Sequence, residues 1–272
     1  MSSRSIVRPP AVAGRFYPAQ PELLRRDVES YLPQGIEKIA ALGCVVPHAG
    51  YMYSGHVAGA VFARMELPDR FVILCPNHTG RGEPLAIMTR GSWATPLGEA
   101  QIDRALAAEL VAEFDLLTED AEAHRTEHAL EVELPFLQVL EPKFTFVPIA
   151  IGTHRLDVLT ELGNAIARVI ARQKDKVLLI ASSDMNHYAT DSVTRENDAL
   201  AIAPLVARDP RALHETVLRE NISMCGLGPA VTMLTAVNEL GASSAELVKY
   251  ATSADVSGDR SYCVGYAGVV VR

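Results

Sequence analysis

Val177-Leu178-Leu179-Ile180-Ala181-Ser182-Ser183-Asp184-Met185-Asn186-His187 is an apolar run that breaks off into small polar residues and ends in an imidazole. Two other stretches are built the same way. Cys44-Val45-Val46-Pro47 runs into His48-Ala49-Gly50-Tyr51, and Phe71-Val72-Ile73-Leu74-Cys75-Pro76 runs into Asn77-His78-Thr79-Gly80. A short run that is apolar at every position fits a strand buried on both faces, as in a parallel sheet covered by helices. Open α/β sheets build their sites just past the carboxyl ends of such strands. Parallel neighbours would bring His48, His78 and His187 to one crevice, and converging imidazoles point to metal chemistry.

Around these runs, strand-like and helix-like patterns alternate. The alternation predicts a single α/β domain over 1–272, with a central, largely parallel or mixed sheet flanked by helices. Val57, Ala60, Val61 and Met65 at helical spacing predict a helix from about Gly55 to Met65, with Ser54 as its N-cap. Segment 91–99, with Trp93, Pro96 and Gly98, reads as an irregular connection. Helices are expected at 103–117 and from near Glu127, where Pro135 implies a kink or a late start. A strand at 144–151, a helix at 156–171, helices at 192–207, 210–220 and 228–240, and strands at 246–252 and 261–271 complete the reading.

Of the 272 residues, 49% are apolar and 21% charged, an ordinary globular balance. A net charge of −8 and a pI near 5.5 argue against a nucleic-acid partner, which needs a basic surface. No run reaches the ~18–20 apolar residues of a membrane span. The polar start from Ser2 to Pro10 has no apolar h-region, so a cytoplasmic protein is expected. Four cysteines do not make a disulfide framework in a chain of this length. Cys44, Cys75 and Cys263 read as small core residues. Cys225 sits instead in Ser223-Met224-Cys225-Gly226-Leu227-Gly228-Pro229, a Gly-rich turn ahead of a helical pattern.

Two imidazoles need a third ligand. A carboxylate would give the facial triad of non-haem Fe(II) enzymes, whereas a thiolate suits Cu(I), Zn or Fe. Asp184, Glu131 and Cys225 all compete for that place. Cys225, just before a helix, would have its thiolate stabilised by N-terminal backbone donors. His128 and Glu131 lie three apart on the expected helix and share a face, so the carboxylate could orient the imidazole behind the ligands. A solvated pair on the helix surface is the plainer reading of the same spacing. His124-Arg125-Thr126-Glu127-His128 matches the H-x-x-E-H pattern of inverted zinc proteases, a match short enough to arise by chance. His56, His154 and His214 lack a partner pattern, and His214 falls on the polar side of a helix. Dinucleotide, Walker and nucleophile-elbow motifs are absent from the sequence.

Six segments, in order, resemble the MEMO family across nearly the whole chain. They are Ala13-Gly14-Arg15-Phe16-Tyr17-Pro18, Pro47-His48-Ala49-Gly50-Tyr51-Met52-Tyr53-Ser54-Gly55 and Pro76-Asn77-His78. The others are Glu127-His128-Ala129-Leu130-Glu131-Val132-Glu133-Leu134-Pro135-Phe136, Ser182-Ser183-Asp184-Met185-Asn186-His187-Tyr188 and Cys225-Gly226-Leu227-Gly228-Pro229. The resemblance implies a fold similar to the catalytic subunit of class III extradiol ring-cleavage dioxygenases. It matches His48, His78 and Cys225 to the family's metal-binding positions, and His187 to an additional active-site histidine with Asp184 beside it. His128 and Glu131 would orient these groups, and Phe16, Tyr17, Tyr51 and Tyr53 would shape the pocket. Fe(II) is the implied cofactor, with Cu or Zn as alternatives. The extradiol enzymes carry a carboxylate where this sequence has Cys225. The expected function is a metal-dependent redox enzyme acting on a small molecule. The rivals are a peptide-binding scaffold without turnover and a zinc hydrolase. Microbial members imply radical-SAM and AMMECR1-like proteins as associates.

Overall fold

Four parallel strands form the middle of the sheet, and helices cover both of its faces. Thr145–Ile151, Arg70–Pro76, Leu178–Ser182 and Gly43–Val46 lie side by side in that order. This computed structural model describes residues 6–272, so the sequence reading of the polar start at 2–5 lies outside the described residues. Side chains along each strand alternate between two cores. Val45, Val72, Leu74, Val147, Ile149 and Leu179 enter one core with helices Leu156–Ala171 and Leu227–Glu239. Cys44, Val46, Phe71, Ile73, Phe146 and Ile180 enter the other with helices Pro21–Tyr31, Tyr51–Arg64 and Leu134–Leu140. Both strand faces are dry, which is why the strands are apolar at successive positions. Each fully buried Val, Leu, Ile or Phe contributes roughly 1.5–3 kcal/mol relative to exposure.

Strand order creates the crevice. The chain lays down Gly43–Val46, skips one place to Arg70–Pro76, and later fills the gap with Leu178–Ser182. The carboxyl ends of three adjacent strands therefore deliver His48, His78 and the 184–187 segment to one edge. Beyond Gly43–Val46, Cys263–Val271 pairs antiparallel and carries both Ala245–Thr252 and His187–Ala189. At the other margin, Gly98–Ile102 runs parallel to Thr145–Ile151, Ser92–Thr95 folds back on it, and Val7–Arg8 pairs with Ser92–Thr95. Twelve strands make one mixed sheet among the described residues. No helix of the described residues is long and apolar enough to cross a membrane.

Leu156–Ala171 has the expected bounds, and the three helices that follow agree to within a residue or so at each end. Four local expectations need correction. Segment 91–99 belongs to a hairpin, with Thr95 opposite Gly98 across Pro96 and Leu97. Pro and Gly there mark a tight turn rather than an irregular stretch. The second helix starts at Tyr51, not Gly55, because Gly50 is its N-cap, while Ser54 donates to the Ala49 carbonyl at 3.0 Å instead of capping. The helix expected from Glu127 begins later, as a 3-10 turn at Glu131–Glu133 followed by Leu134–Leu140. Pro135 thus falls in its first turn, where a missing N–H costs nothing, and His128 is left in a loop. The helix expected at 103–117 ends earlier, at Glu113, where Phe114 turns to extended backbone as the C-cap. Helix Pro21–Tyr31, which buries only Leu24 and Val28, has no counterpart in the sequence reading.

Helices Pro21–Tyr31 and Tyr51–Arg64 approach through Gly59, where an added Cβ would lie 2.3 Å from the Tyr31 carbonyl oxygen. Gly59→Ala should therefore lower the urea midpoint, by the equivalent of about 1–3 kcal/mol for overpacking. In an uncrowded helix the same change raises stability by up to ~1 kcal/mol. A raised midpoint would show that this contact does not set the helix spacing.

Candidate metal centre

His48 lies one proline beyond strand Gly43–Val46. Its backbone N–H donates to Asp184 Oδ1 at 2.8 Å, and its Nδ1 is 2.9 Å from Ser182 Oγ. His78 is held at both ends by one carboxylate. Its backbone N–H donates to Glu127 Oε2 at 2.6 Å, and its Nδ1 is 2.9 Å from Glu127 Oε1. His128 follows Glu127 directly in the chain, with Nδ1 3.5 Å from the same Oε1. The rings of His78 and His128 stack at 4.8 Å, and His48 stands edge-on to both, at 5.2 and 5.5 Å. One ligand atom from each of the three lies within 4.8 Å of the other two. With each Nδ1 turned to an oxygen, Nε2 is the nitrogen each ring has to offer.

Cys225 comes from the start of helix Leu227–Glu239, and its Sγ is 3.3 Å from His48 Nε2. The helix start can approach this closely because residue 226 is glycine: a Cβ there would sit 2.3 Å from Ser183 Cβ. Expected stabilisation of the thiolate by helix N-terminal donors is not what the fold provides. The Gly226 N–H donates to Ser183 Oγ, and Sγ accepts instead from the Asp184 N–H at 3.3 Å. Burial first, and then the Asp184 charge, push the thiol well above its usual range.

Burial, followed by the neighbouring imidazoles, pushes His48 well below its ordinary value. His128 is lowered, again chiefly by burial. Burial also pulls on His78, but the Glu127 hydrogen bond and charge outweigh it, and the net shift is upward. Glu127 is wholly buried, yet its bond to His78 holds it below the usual carboxylate range. Burial raises Asp184 to about 6, despite the opposing pull of His187. His187 is half-buried, and its Nδ1 is 2.8 Å from the Ser223 carbonyl oxygen. A carbonyl can only accept, so Nδ1 carries the proton and a neutral His187 keeps its lone pair on Nε2.

The sequence model described as Memo-like protein matches residues 8–270. The chain belongs to the Memo-like family. A MEMO1 family protein of Methanopyrus kandleri is 44% identical over 279 residues, covering 97% of this chain and 99% of that one. One of Methanosarcina barkeri is 41% identical, covering 98% and 100%, and one of Pyrobaculum aerophilum is 40% identical, covering 97% and 98%. An uncharacterized Escherichia coli K12 protein of known crystal structure shares the fold, with a TM-score of 0.57 at 14% identity over 84% of this chain and 98% of that one.

Within this Memo-like fold some expected site residues do other work. Glu131 does not orient His128. Its carboxylate takes Arg8 Nη1, the backbone N–H groups of Ala11 and Val12, and the Tyr17 hydroxyl. The reason is the late helix start, which breaks the shared helical face. Tyr17 and Tyr51 are buried, with Tyr51 donating to the Val132 carbonyl. Their edges still line a cavity of about 490 Å³ together with Arg15, Phe16, Met52 and Tyr53. Phe16 packs on His128 at 4.8 Å. His214 is not solvated: it is buried, with Nε2 2.7 Å from the His154 carbonyl oxygen. Glu127 and Ser182, which hold the rings, were not singled out in the sequence. The only signal for Glu127 was its place beside His128, inside the zinc-protease pattern.

His124, the first residue of that pattern, is fully buried edge-on to Trp93, with Nε2 3.3 Å from the Ala86 carbonyl oxygen. Burial, with a smaller contribution from Arg8, lowers it from 6.5 to about 4. As pH falls the unfolded chain takes up this proton first. The associated stability is fully present above about pH 6.5 and drains away towards pH 4. It amounts to something on the order of 3 kcal/mol. Urea midpoints from pH 7 to 4 should fall less steeply for His124→Gln than for the wild type. Parallel curves would rule out His124 as the source.

Proposed function

We propose that this chain binds a transition-metal ion at His48, His78 and Cys225, with His128 as a further donor, and acts as a metal-dependent redox enzyme on a small molecule. The observation that carries the reading is the convergence of three imidazoles whose Nδ1 atoms each face an oxygen. For His48 and His78 these are hydrogen bonds at 2.9 Å, of the kind that fix ring orientation in metal sites. Imidazole and thiol donors suit Fe(II), Cu or Zn and are a poor match to Mg or Ca, so the residues present fit the implied group. Fe(II) is our first choice, in keeping with the family resemblance to extradiol dioxygenases. Cys225 in place of their carboxylate points away from ring cleavage itself. Such an ion would supply Lewis acidity and, for iron or copper, electron transfer towards a substrate oxygen.

The chain's own residues would do the rest. His187, with its Nε2 lone pair, would accept a proton from a substrate hydroxyl within hydrogen-bond reach of ~3 Å. Asp184 holds the backbone of His48 and, through its own N–H, the Cys225 sulfur. The cavity of about 390 Å³ that His78 and Cys225 line together with Asn77, His154, Ser223 and Met224 would hold the organic ligand. One feature favours a second reading, ligand binding without turnover. Tyr188, at a left-handed φ of 63°, stacks on Tyr262 at 4.8 Å while both stay exposed, forming a surface grip beside His187.

Protein purified anaerobically should carry stoichiometric iron, or copper or zinc in its place, by elemental analysis. His48→Ala and His78→Ala should each lower metal affinity by well over the ~10–100-fold typical of losing an outer partner. Cys225→Ser and His128→Ala rank the remaining donors. Full metal content in both His48→Ala and His78→Ala would overturn the site. Failure of the loaded protein to consume oxygen with any phenolic or catechol-like substrate would favour binding without turnover.

A further inference from the structure

Ser182 lies behind His48 and is fully buried. Its Oγ has three close partners: the Ala129 carbonyl oxygen at 2.7 Å, Glu133 Oε1 at 2.9 Å and His48 Nδ1 at 2.9 Å. A hydroxyl has one proton to give and two lone pairs to receive. The Ala129 carbonyl can only accept, and as the nearest partner it takes the Ser182 proton. The other two contacts are then satisfied only if both partners donate. His48 must therefore carry its proton on Nδ1, and Glu133 must carry one on Oε1.

Glu133 independently fits that assignment. Its side chain is fully buried, Oε2 has no hydrogen-bond partner, and it takes part in no ion pair among the described residues. The two carboxylates nearby in the chain differ on this point: Glu131 faces Arg8, and Glu127 faces His78. A buried carboxylate with neither counter-ion nor a full set of donors takes up a proton instead. Burial accordingly pushes Glu133 well above the usual carboxylate range.

We infer that Ser182, backed by Glu133 as a neutral acid, is a positioning pair that locks His48 in its Nδ1–H tautomer and keeps the Nε2 lone pair turned towards Cys225 and the centre. The opposite tautomer would place a proton on Nε2, where it blocks ligation. This inference rests on the proposed role of His48 as a ligand, but the tautomer and the protonated acid are measurable without metal.

The test uses the full chain with metal withheld and then restored. In long-range proton–nitrogen NMR of histidine-labelled protein, metal-free His48 should show the Nδ1–H pattern. Infrared spectra at pH 7 should show a carboxylic-acid C=O band that disappears in Glu133→Gln. Because the amide can donate where the acid did, Glu133→Gln should keep the tautomer and bind Fe(II) or Zn within about threefold of wild type. Ser182→Ala should mix the tautomers and weaken binding by roughly 10–100-fold. An Nε2–H pattern in the wild type, no acid band, or a Glu133→Gln loss as large as that of Ser182→Ala would overturn the inference. Should Ser182→Ala fail to fold, the wild-type tautomer and the Glu133→Gln pair still decide it. A wild type that binds no metal sinks the proposed function, while the tautomer and the acid band still decide this assignment.

Discussion

Glu127 is a carboxylate with no exposure to water, and both of its oxygens are committed to the loop that forms the site. Oε1 meets His78 Nδ1 and the Ala129 N–H, each at 2.9 Å, and Oε2 meets the His78 N–H at 2.6 Å. A buried charge survives only when such donors replace its hydration. The three-strand crevice could not hold its shape with this group unpaired. By clasping His78 at backbone and ring, and by placing His128 one residue away, Glu127 joins a strand end to a loop that arrives about fifty residues later. The ring stack of His78 on His128 follows from that clasp.

A second buried charge ties the start of the described chain to the same loop. Arg8 donates to the carbonyls of His124 and Glu127, pairs with Glu131, and lies 4.1 Å over the Trp93 ring. Glu131 then receives Ala11, Val12 and Tyr17. Segment 8–17 is thus threaded across loop 124–131, and Phe16 is carried onto His128. The Arg8–Glu131 pair anchors the segment that carries Arg15, Phe16 and Tyr17, which line one side of the cavity they share with Met52 and Tyr53. Removing one partner of such a pair costs far more than the pair contributes, since the survivor stays buried and alone.

The central strands were legible because helices on both faces make them apolar at successive positions, a pattern that survives without any tertiary information. His48, His78 and His187 were legible as strand-end residues for the same reason. Glu131 was misplaced because Pro135 moves the helix start past His128, and a spacing of three means a shared face only inside a helix. His214 looked solvated on its helix, but helix packing buries it. Ser92–Thr95 and Gly98–Ile102 escaped notice because Ser, Thr, Pro and Gly mark a hairpin turn and a loose loop with equal strength.

The sequence by itself determined the α/β class, the buried parallel strands, the family, and the residue types gathered at strand ends. Those features are written in short-range periodicity and in ordered motifs. Tertiary structure alone decided which carboxylate serves which ring: Glu127 took the role that spacing had offered to Glu131. It also decided that Ser182 stands behind His48 and that Cys225 closes against it. Strand order sets these partnerships, and strand order depends on pairings between residues far apart in the chain, such as Phe71 with Phe146 and Gly43 with Leu179, for which local pattern carries no signal.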